Sequence, residues 1–375
     1  MLSLDESLLD PASQTTARIK KYAALVDRLE VVVYSSSKKS LKLSDYLTVY
    51  STNTRFKIFY PRQAYRLAKK IIKNKNIDLV TTQDPFETAL VGWRLKKKFN
   101  IGLNVQVHGD FFGSDYWQTL NLKNKIRFHL AKRLLPKADS IRVVSRRIGL
   151  TLKAFGIPVE KITIAPIYVD WHNYQERDSE VDLHFKFTNK FVILSVCRLA
   201  AEKNLDLLIK AFNKLSGKYK DLILAIVGAG PQEKKLKLLT DNFGLRDKVF
   251  FMGWQEDLVG YYKSADLMVI TSASEGYNRT VIEAMACGAP IVMSDVGLAG
   301  EILHHGQNGL VYEVGDEEGL IDSIETMLKD VNLRNKFIEA GFMTVQKLPS
   351  EEELLKRLYH SWQKALIKKD GQASE

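Results

Sequence analysis

Ser274-Glu275-Gly276-Tyr277-Asn278-Arg279-Thr280-Val281-Ile282-Glu283-Ala284-Met285-Ala286-Cys287-Gly288-Ala289-Pro290 is the stretch on which the fold turns. It follows an apolar run, Leu267–Thr271, that reads as a buried strand, and it turns at Gly276. It then enters a helix over Arg279–Ala286, which Gly288 and Pro290 end. A strand–loop–helix unit aims free backbone N–H groups and the positive end of a helix dipole at one place, which suits a diphosphate. Glu283 lies in the first turns of that helix, and Glu275 at the strand end. Two glutamates at this spacing are common on surfaces, so the pair alone decides little.

The same alternation of short β-branched runs and longer helical patterns extends in both directions, which is the mark of βαβ units and parallel sheets. Toward the C-terminal end, strands are expected at Phe191–Val196, Leu222–Val227, Val249–Met252, Leu267–Thr271, Ile291–Ser294 and Leu310–Tyr312. Helices are expected near Leu205–Leu215, Gln232–Phe243 and Glu317–Leu328. In the first half the strands are Leu2–Leu4, Glu30–Tyr34, Asp78–Thr82, Gly102–His108, Ser140–Val144 and Lys161–Ala165, with helices at Arg62–Asn74, Glu87–Phe99 and Leu120–Leu135. Pro166–Thr188 loses this periodicity and turns polar, which reads as a linker. Two α/β domains are expected, over 1–170 and 171–350, with a helix at about 351–368 packing back on the first. Lys368–Glu375 reads as a frayed tail.

After the strand Phe191–Val196 comes Cys197-Arg198-Leu199-Ala200-Ala201-Glu202-Lys203. Arg198 offers a planar fork and Lys203 a point charge, so together they neutralise a diphosphate without a metal. The plainer reading is a surface turn with ordinary charges. Gly228-Ala229-Gly230 ends the next strand, where glycine lets backbone approach a ligand.

Arg198-x4-Lys203, the Gly228–Gly230 turn, Phe251-Met252-Gly253 and Glu275-x7-Glu283 with Ala284-Met285-Ala286-Cys287-Gly288 resemble family 4 of the retaining glycosyltransferases. The resemblance is dense over about residues 190–330. It implies the GT-B fold: two Rossmann-like doubly wound domains with a cleft between them, the nucleotide-sugar donor in the second and the acceptor mainly in the first. It further implies metal-independent transfer with retention and no cofactor beyond the nucleoside-diphosphate sugar itself. Carried over by position, Arg198 and Lys203 grip the diphosphate, Glu283 the ribose, and Glu275 lies by the donor sugar. Gly276, Tyr277 and Asn278 present backbone donors to that sugar, and Gly253 lies near the base. His108, ending the strand Gly102–His108, resembles the family's histidine that contacts the donor sugar, with Asp110 close behind it. Where many members have a glycine-rich loop after the first strand, this chain has Asp10-Pro11-Ala12-Ser13-Gln14-Thr15-Thr16, without glycine. Ser13, Gln14 and Thr15 either cap the next helix or bond a polar acceptor. The loop Pro166–Asp170 also departs from the family's pattern.

Charge points to the acceptor's setting. Residues 1–170 carry 30 Lys and Arg against 14 Asp and Glu, a net +16, whereas the rest carries 25 against 30, a net −5. Within Leu120–Leu135, Leu120, Ile126, Leu130 and Leu134 lie among Lys123, Lys125, Arg127, Lys132 and Arg133, as in a basic amphipathic helix. A second basic run closes the helix before it, at Arg94, Lys96, Lys97 and Lys98. These features suit a glycan or lipid-linked acceptor carried at an anionic membrane, against the blander reading of a solvated cationic surface. Nucleic acid is not expected as a partner. The two cysteines, Cys197 and Cys287, form no disulfide framework, and Met1–Glu6 has no basic leader, so a cytoplasmic protein, peripheral at the inner face of the membrane, is expected.

Rival readings are weaker on the residues. A dinucleotide-binding oxidoreductase wants a third glycine where Glu233 stands. No Asp-x-Asp pair or P-loop occurs, no metal site is expected, and His304-His305 reads as a turn. An epimerase or phosphorylase on the same fold, and a non-catalytic nucleotide-sugar or membrane-surface binding module, stay open.

Overall fold

The computed structural model describes residues 1–366, so the tail expected over Lys368–Glu375 lies outside the described residues. The chain forms two compact units: Met1–Pro166 together with the segment from Ser350, and Ile167–Pro349.

The first unit is built on eight strands: β1 (Leu2–Ser3), β2 (Leu29–Val33), β3 (Leu41–Lys42), β4 (Leu47–Ser51), β5 (Leu79–Thr82), β6 (Gly102–Val107), β7 (Ser140–Val143) and β8 (Ile162–Ile164). Their order is β3-β4-β2-β1-β5-β6-β7-β8, parallel except for β3 against β4. Both faces of this sheet are covered. Val31 and Val33 join a core with Ile19, Tyr22 and Trp362, while their neighbours Val32 and Tyr34 join another with Ala64, Val91 and Leu95. Alternate residues of a strand point to opposite faces, so a strand that is apolar throughout belongs inside a covered parallel sheet. The helix Glu351–Gln363 completes the first core through Leu358 and Trp362, and a capping box at Ser350 and Glu353 starts it.

The second unit has β9 (Phe191–Val196), β10 (Leu222–Val227), β11 (Val249–Gly253), β12 (Leu267–Ile270), β13 (Ile291–Ser294) and β14 (Leu310–Tyr312), all parallel. The order β11-β10-β9-β12-β13-β14 is that of a doubly wound sheet, and it reverses between β9 and β12. Phe212 and Leu208 from the helix Leu205–Lys218 pack on Ile193, Leu224 and Ile226, and Leu320 and Ile324 from Glu317–Lys329 extend the same core.

Two expectations are corrected, and one strand is added. The supposed linker Pro166–Thr188 carries short helices at Trp171–Glu176 and Leu183–Lys186 and packs into the second unit: Leu183 is buried, its N–H bonds the Ser264 hydroxyl at 2.9 Å, and Cys287 Sγ reaches the Tyr174 carbonyl. Its few anchors are irregularly spaced, which hid them in a polar stretch. Strand β4 has little apolar signal in the sequence because Thr48 and Tyr50 dilute its alternation, as suits a strand near a sheet edge. The helix expected over Leu120–Leu135 runs over Leu122–Leu134, capped by Asn121 and preceded by a separate short helix, Asp115–Thr119, but the expected amphipathic stripe is not there. Leu134 is buried, whereas Leu120 and Ile126 are exposed.

Candidate active site

Ligands of doubly wound sheets sit beyond the C-terminal strand ends where the order reverses. In the second unit that point lies between β9 and β12, and the sequence places Arg198 and Lys203 after the one and Glu275 to Asn278 after the other.

The two loops are laced together. Thr271 Oγ1 donates to the Lys203 carbonyl at 2.8 Å, and the Ala273 N–H donates to the Glu202 carbonyl at 2.8 Å. Across this seam the Lys203 ammonium contacts Glu275 Oε1, which also accepts the Ser272 hydroxyl at 2.7 Å. The side chains of the pair are 18% and 11% exposed, so water screens their charges little. An ammonium has three N–H donors, and Glu275 takes one of them, leaving donors for an anion. Arg198 is not drawn into this pair: it contacts Glu202 at the surface, its side chain 68% exposed.

Glycines set the shape of both loops. A Cβ added at Gly228 (φ +137°) would collide with the Cys197 carbonyl oxygen, and one at Gly230 with the Leu199 carbonyl oxygen. The glycines therefore let the β10 loop lie against the backbone that carries Arg198. Leu199 N–H bonds the Ala229 carbonyl at 3.0 Å along this seam. Gly253 (φ +71°) ends β11 with open space around it. Gly297, in the loop after β13, places its absent Cβ 2.9 Å from the Glu275 Cβ.

Gly276 is buried at a bend, Tyr277 is buried behind it, and Asn278 enters the helix Arg279–Ala286 at φ +62°. Asn278 makes no side-chain capping bond; its Oδ1 accepts the Thr280 hydroxyl at 2.6 Å instead. The first turn is left without a side-chain cap, which keeps its N–H groups for another partner. Glu283 is only 5% exposed. Its Oε2 accepts the Tyr262 hydroxyl at 3.1 Å and its Oε1 lies 3.2 Å from the Arg279 guanidinium. Burial, with this carboxylate nearby, pushes the Tyr262 and Tyr174 hydroxyls well above the ordinary tyrosine range. Burial likewise raises the Cys197 and Cys287 thiols to about 12, so neither is a nucleophile at neutral pH.

In the first unit, His108 follows β6 and its Nε2 lies 3.0 Å from Gln83 Oε1. The Gln83 amide nitrogen faces Met1 Sδ, an arrangement that puts the proton on Nε2 and leaves Nδ1 an acceptor. Burial lowers the imidazole pKa to about 3, helped by Arg142 and Arg18, so His108 is neutral at physiological pH. Ser13 caps the helix Gln14–Ala23 at the Thr16 N–H and donates to the Ser7 carbonyl at 2.7 Å. Asp110 Oδ1 accepts the Gly113 N–H at 2.9 Å. Both side chains hold their own loops, whereas Gln14 is exposed and Thr15 half-exposed. Asp84 is buried, bonded by Phe86 N–H and the Thr88 hydroxyl, and burial raises its carboxyl to about 6.

These two shifts oppose each other with pH. The folded pKa of His108 lies below its unfolded value, so its stabilisation is present above about pH 6.5 and is lost as pH falls toward 3. Asp84 is raised, so its stabilisation is full below its unfolded value and is lost as pH rises through 6. In urea denaturation, His108→Asn should gain about 2 kcal/mol at pH 5 relative to pH 7 compared with the parent, and Asp84→Asn should change in the opposite sense by about 1 kcal/mol. Parallel pH profiles for parent and His108→Asn would contradict the buried neutral imidazole.

Sequence reading missed Gln83, Ser272, Tyr262, Asp84 and Gly297. Gln83, Asp84, Ser272 and Gly297 each follow a strand end within three positions, whereas Tyr262 carries no such signal.

Residues 22–171 match the family model described as Glycosyltransferase Family 4, and residues 176–343 match that described as Glycosyl transferases group 1. The N-acetyl-alpha-D-glucosaminyl L-malate synthase of Bacillus anthracis is 25% identical over 313 residues, spanning 81% of this chain and 80% of that one. The N-acetylgalactosamine-N,N'-diacetylbacillosaminyl-diphospho-undecaprenol 4-alpha-N-acetylgalactosaminyltransferase of Campylobacter jejuni is 29% identical over 273 residues, 72% of each. Among solved structures, HepE of Anabaena, crystallised with UDP-glucose, matches with a TM-score of 0.75 at 20% identity, over 96% of this chain and 98% of that one.

Proposed function

We propose that the chain is a retaining, family 4 glycosyltransferase of the GT-B fold, transferring sugar from a nucleoside-diphosphate sugar to a lipid-linked or cell-surface glycan precursor. The observation that carries the reading is the Lys203–Glu275 pair at the reversal point of the second sheet, beside a helix start without a side-chain cap.

The chemistry follows from charge. As the bond from the anomeric carbon to the diphosphate breaks, negative charge grows on the leaving oxygens. Lys203, Arg198 and the N–H groups at Arg279 and Thr280 stabilise it without a metal, which is electrostatic catalysis by preorganised groups. Arg198 turns from Glu202 to do so, at little cost for an exposed pair. Glu275, clamped by Lys203 and Ser272, positions the donor sugar with backbone from Gly276 to Asn278. Glu283 meets the ribose through its Arg279-facing oxygen, and Gly253 borders the base. His108 accepts a substrate hydroxyl at Nδ1, and Gln14 and Thr15 are the acceptor-side candidates. The relatives' names describe α-linked sugars, as retention from an α-linked donor gives, and one describes a diphospho-undecaprenol acceptor. The +16 charge of residues 1–170 supports an acceptor held at an anionic membrane, reached from the cytoplasm.

A thermal-shift panel of UDP-, GDP-, ADP- and dTDP-sugars tests the donor site. One base series should stabilise by about 2.7 kcal/mol at about 100 times its dissociation constant. A shift with none of the four would count against the site.

A further inference from the structure

Three large apolar side chains stand in water together on the first unit. Phe56, Ile58 and Phe59 are 61%, 82% and 46% exposed, and the turn Lys57–Phe59 buries none of its residues. The rings of Phe56 and Phe59 meet edge to face at 6.4 Å between centroids. A contiguous exposed apolar group of this kind marks an interaction surface.

What surrounds it identifies the partner. Arg55 and Lys57 are exposed in the same connection. Ile58 shares a groove with Arg62, Trp93, Arg94, Lys97 and Lys98, and among the described residues no acidic one lines it. The Lys97 and Lys137 ammonium groups lie 5.3 and 4.1 Å from the centre of the Trp93 ring. The next helix, Leu122–Leu134, is tied on through the Arg127–Glu87 ion pair and turns Leu122 and Ile126 outward, 73% and 61% exposed, beside Lys123 and Lys125. Apolar tips, an interfacial tryptophan and a surround of cations match a bilayer, whose acyl layer lies beneath a plane of phosphates.

We propose that this face docks on an anionic phospholipid bilayer, with Phe56, Ile58 and Phe59 entering the acyl boundary and the lysines and arginines holding the headgroup phosphates. The proposal rests on the reading that the acceptor is lipid-borne, and it names the residues that hold the enzyme there. An occupant of protein would need an acidic surface around an apolar pocket, and it is an outcome of the test.

The full chain is to be sedimented with vesicles of phosphatidylcholine alone and of phosphatidylcholine mixed with phosphatidylglycerol. Binding should favour the anionic vesicles by at least about tenfold and weaken with salt, since each basic residue near such a surface adds about fivefold. Phe56→Ser/Ile58→Ser, which keeps every charge, and Lys97→Glu/Lys98→Glu should each lower that binding by at least about tenfold with the thermal midpoint unchanged. Parent protein that ignores anionic vesicles, or a serine variant that binds as the parent does, would overturn the proposal and leave the face to a protein partner. The nucleotide-sugar shift is read on the same samples. Vesicle binding without any nucleotide-sugar binding would sink the transferase reading alone, and the reverse would sink docking alone.

Discussion

Lys203→Met is expected to slow sugar transfer roughly ten- to a hundredfold while the protein stays folded. The loss is that of a charge-assisted hydrogen bond to the departing diphosphate, about 1.5–3 kcal/mol, with each ~1.4 kcal/mol worth tenfold in rate. Methionine keeps the apolar stem of the side chain, so packing at the seam between the two loops changes little. Glu275, 11% exposed, then keeps the Ser272 hydroxyl as partner, so its unpaired carboxylate should also lower the thermal midpoint. Lys203→Arg should restore the charge but only part of the rate, because a planar fork does not reproduce a compact ammonium held against Glu275 Oε1. The contrast with Arg198 is informative. Its side chain is 68% exposed and must reorient to act, so Arg198→Ala should cost less than Lys203→Met, yet still about tenfold. Initial rates with saturating donor measure all three. Near-parental turnover in Lys203→Met would remove Lys203 from the chemistry.

Gly228→Ala is expected to have the largest effect on stability of any methyl-sized change near the site. At φ +137° an L-residue is strained, and the added Cβ lands on the Cys197 carbonyl oxygen, which is backbone and cannot swing away. Strain and overpacking each cost about 1–3 kcal/mol, so the second unit should melt roughly 5–15 °C lower. Because the displaced backbone carries Arg198, donor binding should weaken as well, even below the new melting temperature. Gly253→Ala is the control. It has φ +71° but nothing within 4 Å of the added carbon, so only the backbone term of about 1 kcal/mol applies. Equal melting shifts in the two variants would show that close approach at Gly228 is not what the glycine provides.

The second sheet was legible in the sequence because its strands are buried on both faces and read as unbroken apolar runs. Phe191–Val196, Leu222–Val227, Ile291–Ser294 and Leu310–Tyr312 were placed to the residue. Elements whose apolar residues are interspersed with polar ones were not, as with β4 and the helices Arg146–Ala154 and Val331–Val345. At the site, the motif residues were legible because each lies within a few positions of a strand end. What joins them was not. Gly228 against Cys197, Gly297 against Glu275 and Gln83 against His108 are approaches between segments far apart in the chain, and nothing local announces them. The Glu283 environment shows the same limit. Its helix position was evident, but the burial by Tyr262 and the pairing with Arg279 depend on how three segments pack.

The central claim is that the paired loops after β9 and β12 hold a nucleotide sugar for transfer. Its most direct test is to incubate the full chain with the stabilising donor, labelled in the sugar, and bacterial lipid-linked glycan acceptors, following nucleoside diphosphate and glycolipid together. The account predicts that the two appear in equal amounts, that the product keeps the donor's anomeric configuration, and that Lys203→Met slows both alike. Isomerised donor, inverted product, or bound donor that is never consumed would contradict it.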